Sequence, residues 1–432
     1  MDLLFKNITI VTMDDEEFVI ENGYLGIQGE KIVYLSKEKP NIQANREIDG
    51  KGKVIMPGLI NCHTHIPMSI LRGYADDYEL QDWLFNHIFK AEAKMDDKCV
   101  ELGALLTVAE MVSTGTTSIT DMYINGPVVA EVIKNTGIRA NICNGNFCFT
   151  EKYDHLEDKG YRQFMEIVEK YHNYSNGRIK IDVGIHGEYT STPEFWTFWA
   201  KKAKEYNLNM HLHLSETELE HENCKKKYGK TPTEILIAHG VFDTQANLAH
   251  CVWLEEKDMK LIVEKNASVC HNPVSNLKLA SGIADINKMM EMGVNVCLGT
   301  DGVASNNTHD LFEELKLSAI LAKGKTLCAK TLPAKEALKL ATINGAKSQN
   351  RDNIGMIKIG YDADLIMVDF SNISHTPVYD VVSSLVYNTI GRDVLLTMVQ
   401  GKILYENGKF ATIDIEKVKE EINSYVIPKL KG

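Results

Sequence analysis

The 432-residue chain has no apolar stretch approaching the roughly 18 residues of a membrane span. Its opening, MDLLFKNITIVTMDDEE, lacks the basic start, apolar run and cleavage site of a secretory leader. Together these absences predict a cytoplasmic protein with no membrane partner. Positive charge is in deficit, and a formal net charge of -12 argues against a surface that neutralises phosphates, so no nucleic-acid partner is expected. The nine cysteines, an odd number scattered from Cys62 to Cys328 without paired spacing, do not form a disulfide framework and fit a reducing compartment. Low-complexity tracts are also missing.

What is present is the composition of a folded globular protein: 44% hydrophobic and 25% charged residues, with both signs spread along the chain. The length allows about two or three domains, or one large barrel with an attachment. Residues 1–57 carry short, partly alternating segments (LFKNITIVTM, GYLGIQG, KIVYLS) that read as half-buried strands. The same texture returns in DADLIMVDF and DVLLTMVQGKILYENGKF within residues 351–432, before IDIEKVKEEINSYVIPKL, whose spacing predicts a closing helix. The two flanks are expected to pair as one small domain. Between them, residues 58–350 hold eight apolar runs, each ending in a polar tip and leading into a helical segment: VIMPGLINCHTH, TTSITDM, GIRANIC, KIDVGIHGEY, LNMHLHLSE, ANLAHC, ASVCHN and VNVCLGTDG. Eight βα units predict an α/β fold built on a (β/α)8 TIM barrel, with its chemistry at the carboxyl ends of the strands.

His63 and His65 lie two apart, so on an extended strand both face the same side and can reach one ion. An HxH pair alone is weak. The stronger signal is that His213, His250, His271 and Asp301 each end a separate expected strand, so the barrel would bring them to one rim. Imidazoles with one carboxylate make a zinc shell with room for a water, and such a water ionises near pH 7 in favourable zinc sites. Iron and manganese satisfy the same ligand types.

The runs PGLINCHTHIPMSILRGYADDYELQDWLFNHIFKAEAKM, HLHLSETELE, AHCVWL, HNPVSNLKLASGIA and LGTDGVASNN resemble the amidohydrolase superfamily, in its branch of 5-methylthioadenosine/S-adenosylhomocysteine deaminases, over essentially the whole chain. The resemblance implies a barrel embraced by a β-sandwich from both termini, and one zinc held by His63, His65, His213 and Asp301. A single metal is expected because the fourth strand ends in His186 without a bridging lysine. The implied reaction is hydrolytic deamination of an adenosine-type nucleoside, by attack of a metal-held hydroxide on purine C6. Glu216 is the implied proton shuttle, Asp301 the acceptor of the water proton and His250 the group that orients the nucleophile. Glu92 is assigned to the ribose hydroxyls, His186 to the substrate and Ser305 to the purine. Self-association into a homo-oligomer is implied as well.

Several residues take bland readings: His211 as a packed histidine deeper in the barrel, His271 with Asn272 and Asn276 as a brace of the rim, and the four tryptophans as core or rim packing. Two positions depart from the resemblance. Asn144 stands where relatives carry an arginine associated with the substrate tail, and Glu188 stands where relatives often have proline. An amide cannot replace a guanidinium, and a carboxylate facing the pocket would repel an anionic tail. Methylthioadenosine, adenosine and 5'-deoxyadenosine are therefore expected to be handled better than S-adenosylhomocysteine. The rival readings are a guanine, pterin or triazine aminohydrolase on the same metal rim, and a noncatalytic scaffold, against which the retained ligand set argues.

Overall fold

A computed structural model describes residues 1–150 and 152–431. The N-terminal strands are β1 (Leu3–Val11), β2 (Val19–Gln28), β3 (Lys31–Ser36), β4 (Arg46–Asp49) and β5 (Lys53–Pro57). The barrel strands follow: β6 (Leu59–Thr64), β7 (Thr116–Tyr123), β8 (Arg139–Asn144), β9 (Ile179–Ile181), β10 (Val183–Ile185), β11 (Met210–Leu214), β12 (Ala246–His250), β13 (Ser268–His271) and β14 (Asn295–Leu298). The last four are β15 (Leu365–Asp369), β16 (Val394–Val399), β17 (Lys402–Glu406) and β18 (Lys409–Phe410).

The two chain ends share one sheet, ordered β18-β17-β16-β15-β5-β1-β2-β3, with β4 on β1. The seam is β5, which runs parallel to β1 and antiparallel to β15, with Ile55 opposite Met367. Phe5, Ile8, Ile10, Leu25, Leu365 and Leu396 turn into a core of their own, separate from that of the barrel, so the sheet curls around it as a sandwich does.

In the barrel every adjacent strand pair is parallel. β9 and β10 are two halves of one strand interrupted at Asp182, whose N–H still bonds the Ile142 carbonyl of β8. Counted so, there are eight strands among the described residues. The ring joins at a bridge between Thr64 and Asp301, where the Asp301 N–H donates to His63 O at 2.9 Å. Strands such as β7 (TTSITDMY) and β11 (MHLHL) are buried at every position, because side chains face either the barrel interior or the helices outside.

The expected closing helix begins at Ile415, capped by the Asp414 carboxylate on the Lys417 N–H, and continues through a π-helical stretch to Lys431. It leaves the sheet and packs against the barrel helix Asp97–Ser113, where Asp96 binds the Tyr425 hydroxyl and the Lys429 ammonium. No helix among the described residues is long and apolar enough to cross a membrane.

Candidate metal centre and substrate cavity

His63 lies near the end of β6 with His65 just past it, His213 lies near the end of β11, His250 ends β12 and Asp301 follows β14, and all five are brought together at the carboxyl rim. One ligand atom from each of His63, His213, His250 and Asp301 lies within 4.8 Å of the other three. His65 belongs to the same cluster, its Nε2 lying 3.1 Å from Asp301 Oδ1 and 3.3 Å from His213 Nε2. The geometry thus offers His250 as a fifth donor beside the four chosen from the sequence.

The backbone aims these groups by leaving the strand conformation. Ser215, His250 and Asp301 have φ of +47°, +72° and +62°, a left-handed region that L side chains adopt only when the surroundings hold them there. Three strand ends of one rim carry this turn, and each redirects a side chain towards the centre.

Outer hydrogen bonds fix the rings. The His65 Nδ1–H donates to Met122 O at 2.5 Å and the His213 Nδ1–H to His186 O at 2.6 Å, leaving both Nε2 lone pairs for the centre. His63 Nδ1 lies 2.8 Å from Nε2 of His211, and His63 Nε2 is buried with no hydrogen-bond partner. A buried nitrogen with no hydrogen-bond partner, facing a carboxylate at 3.4 Å, fits a metal ligand. Burial pushes His63 down to about 4 and His213 well below the usual imidazole range, which keeps their lone pairs free. Burial also opposes charge on His65 and Asp301, but their contact wins: His65 rises to about 9 and Asp301 falls well below the carboxylate range. His63 and His213, held neutral, and a firmly ionised Asp301 suit a divalent cation, which would take the place of the proton that Asp301 otherwise draws onto His65.

Beyond the cluster opens a cavity lined by His65, His186, His213, Glu216, His250 and Asp301 at its floor and by Leu80, Trp83, Leu84, Ile88, Phe89 and Phe147 higher up. Glu92 also lines it, on the turn after the π-helical segment Trp83–Ile88. Burial raises the Glu92 carboxyl and the Tyr123 hydroxyl beside it works the other way. Glu216 is 3% exposed, accepts from the Ser281 hydroxyl at 3.2 Å and stands 3.6 Å from His250 Nε2. Its carboxyl is pushed up by burial, with His250 opposing. The His250 Nδ1–H donates to Asn276 Oδ1 at 2.8 Å, so its Nε2 accepts on the cavity side.

Three residues sit differently from their sequence readings. Ser305 does not line the cavity; its hydroxyl donates to Asp301 Oδ2 at 3.0 Å, alongside that of Ser275 at 2.6 Å. Glu188 turns away from the cavity into a buried pocket beside Glu220 and Cys224, so it sets no charge at the mouth. Asn144 also lies outside the main cavity, its amide spent on the Gly126 N–H and the Gly160 carbonyl. Of the rim brace, Asn276 does the holding, while His271 Nδ1 is buried without a partner. Trp196 and Trp199 are core and Trp83 is a cavity wall.

Sequence reasoning missed Ser275, Asn247 and Asp121. Ser275 lies in the short helix after β13, a rim position that the βα pattern alone could have flagged. The Asn247 amide donates to Cys62 O at 2.6 Å and lies 3.0 Å from His211 Nδ1, which fixes the ring behind His63. Asp121 accepts from the Ile66 N–H at 2.7 Å and the Thr64 hydroxyl at 3.0 Å, shaping the loop after His65.

Comparison with known proteins adds an independent line. A family model described as "Amidohydrolase family" matches residues 54–404. A 5-methylthioadenosine/S-adenosylhomocysteine deaminase of Acetivibrio thermocellus is 42% identical over 423 residues, covering 97% of this chain and 97% of its own. A 5'-deoxyadenosine deaminase of Methanosarcina barkeri is 42% identical over 423 residues, covering 97% of this chain and 96% of its own. The crystal structure of an adenosine deaminase of Xanthomonas campestris with bound zinc superposes with a TM-score of 0.94 at 30% identity, covering 100% of this chain and 99% of that one.

Proposed function

The chain belongs to the amidohydrolase family, and within it we propose a zinc-dependent deaminase that converts an adenosine-type nucleoside and water to the inosine analogue and ammonia. The observation that carries this reading is the buried convergence of three imidazoles and Asp301 with Glu216 and His250 on one cavity floor. The relatives named for 5-methylthioadenosine, S-adenosylhomocysteine and 5'-deoxyadenosine support the choice of substrate class.

His63, His65, His213 and Asp301 would hold one zinc ion. His65 is preferred to His250 as the fourth ligand because its Nδ1 is tied to Met122 O and its Nε2 lies against Asp301, whereas His250 Nε2 looks towards Glu216. When bound, zinc makes water acidic enough to ionise near neutral pH. Everything else falls to side chains. Asp301 accepts the proton of the attacking water, and Ser275 and Ser305 hold its other oxygen still. His250 orients that water through its Nε2 lone pair. Glu216, protonated more readily than a free carboxyl, gives its proton to the ring nitrogen beside C6 and then carries one to departing ammonia. Glu92 receives the ribose diol, for which two acceptor oxygens are suited, and His186 contacts the nucleoside from the fourth strand.

All these residues lie between 63 and 305, so the reaction is assigned to the barrel, residues 58–350, with flanks 1–57 and 351–432 as its support. A cytoplasmic homo-oligomer completes the reading. Nine unpaired cysteines, seven of them buried, favour a reducing compartment, and Ile373 and Tyr379 at 94% and 95% exposure favour a covered surface. The test is ammonia release by zinc-loaded protein with adenosine, 5'-deoxyadenosine, methylthioadenosine, guanine and an aminotriazine. Turnover confined to the free bases or triazine would overturn the nucleoside reading.

A further inference from the structure

Glu216 is the first residue past a left-handed turn, and nothing in β11 itself fixes where its main chain goes after Ser215. The Trp253 N–H holds the Ser215 carbonyl at 3.0 Å, and the group that holds the two amides lies four residues past Glu216. Glu220 Oε1 accepts the Ser215 N–H at 2.8 Å and Oε2 accepts the Glu216 N–H at 2.8 Å, with the Thr217 N–H farther off at 3.5 Å.

A glutamate at the third position of a helix ordinarily caps it by accepting the N–H of the capping residue, here Thr217 at the head of helix Glu218–Tyr228. Glu220 gives that duty its longest bond. Its two short bonds reach back past the cap to the two residues that deliver Glu216 to the cavity. Capping carboxylates gain from solvent, yet Glu220 is 3% exposed and has no lysine or arginine hydrogen-bonded to it among the described residues. Burying an anion for the sake of one helix end is a poor exchange. The same helix adds a second tie, since His221 Nδ1 lies 3.1 Å from the Ser215 hydroxyl.

Resting on the deaminase reading above, we infer that Glu220 is a positioning residue for the reaction: its carboxylate clamps the Ser215 and Glu216 amides and so sets the Glu216 carboxyl at its distances from His250 and Ser281. Glu188 beside it is the partner that stays neutral, because its Oε2 has no hydrogen-bond partner while Glu220 is bonded at both oxygens.

The test compares Glu220→Gln with Thr217→Ala in zinc-loaded protein. Gln keeps one acceptor and turns an NH2 against a main-chain N–H, so it breaks half the clamp, whereas Ala removes the helix cap and leaves the clamp whole. Glu220→Gln should lose about 10- to 100-fold in kcat with KM within about threefold and zinc content unchanged, as expected for a displaced proton donor. Thr217→Ala should keep its kcat within about twofold, since a lost helix cap costs stability and not catalysis. Amide exchange over 212–218 should speed up in Glu220→Gln and not in Thr217→Ala. An unchanged kcat, or a kcat loss matched by Thr217→Ala or by loss of zinc, would overturn the assignment. If the wild type deaminates nothing, the functional reading fails, and the exchange comparison still decides whether the clamp exists.

Discussion

The Nδ1 of His63 stands 2.8 Å from the Nε2 of His211, and the other ring nitrogen of His211 lies 3.0 Å from the Asn247 amide. His211 therefore sits behind the proposed metal ligand, holding its ring. It shares a strand face with His213 but lies one layer deeper, fully buried.

Removing such an outer partner leaves the first ligand free to rotate and less basic, which typically costs about 10- to 100-fold in metal affinity. His211→Phe keeps the ring volume without the nitrogen and should show that loss in chelator competition. His63→Ala should fail to retain the metal at all. Equal zinc retention by His211→Phe and wild type would sink the role given to His211.

Glu216→Gln keeps the shape and the Ser281 contact but has no proton to give. Its kcat should fall about 10²- to 10⁴-fold, the usual worth of a positioned general acid–base group, while KM and zinc content hold. Initial rates with stoichiometric zinc measure it. A mutant that keeps full turnover would remove Glu216 from the mechanism.

Glu188 offers a pH-dependent stability. Burial and the neighbouring Glu220 charge push its carboxyl up to about 9, against about 4.3 in an unfolded chain. Between those values the unfolded state gives up the proton and the folded state keeps it, so this group's contribution is whole below about pH 4 and drains away as pH rises towards 9. Glu188→Gln carries no such proton. Its melting temperature relative to wild type should climb from pH 5 to pH 8 by a few degrees, roughly 2 °C per kcal/mol for a chain of this size. A difference that stays flat, or narrows, would show Glu188 ionised in the native protein.

The residues show what a sequence can carry. Eight barrel strands were legible because each apolar run ends in a polar tip, and His63 with His65 because a strand has period two. Period two is also why spacing could not separate His211 from His213: both face the interior, and depth along the barrel is not written in spacing. The left-handed turns at Ser215, His250 and Asp301 were invisible, since Ser, His and Asp pass for ordinary strand ends. The break at Asp182 was equally silent. Glu188 was misjudged for a related reason. Just past a strand end the alternation no longer dictates facing, and the short 3-10 turn Glu188–Thr190 rolls it off the cavity.

The substrate tail is decided by the upper cavity. None of the described residues lining it is a lysine or arginine, and its outer wall is aromatic: the Phe89 and Phe147 rings lie 6.0 Å apart, and Phe147 and Phe149 lie 5.5 Å apart. Phe149 and Phe85 continue that surface into solvent at 58% and 40% exposure. Asn144 supplies no substitute cation, being bound to Gly126 and Gly160, and Glu188 repels nothing from its own pocket. The discrimination is thus one of missing partners: an amino-acid tail would lose hydration along the aromatic wall of this cavity, whose lining offers no lysine or arginine to meet it. A methylthio or bare methyl group would gain by burial there, at about 25 cal/mol per Å². Methylthioadenosine and 5'-deoxyadenosine should therefore exceed S-adenosylhomocysteine in kcat/KM by at least about tenfold, the worth of some 1.4 kcal/mol. Phe147→Arg should narrow the gap by giving the tail carboxylate a partner. Steady-state kinetics on the three nucleosides decide it, and S-adenosylhomocysteine turned over as efficiently as methylthioadenosine by the wild type would defeat the argument.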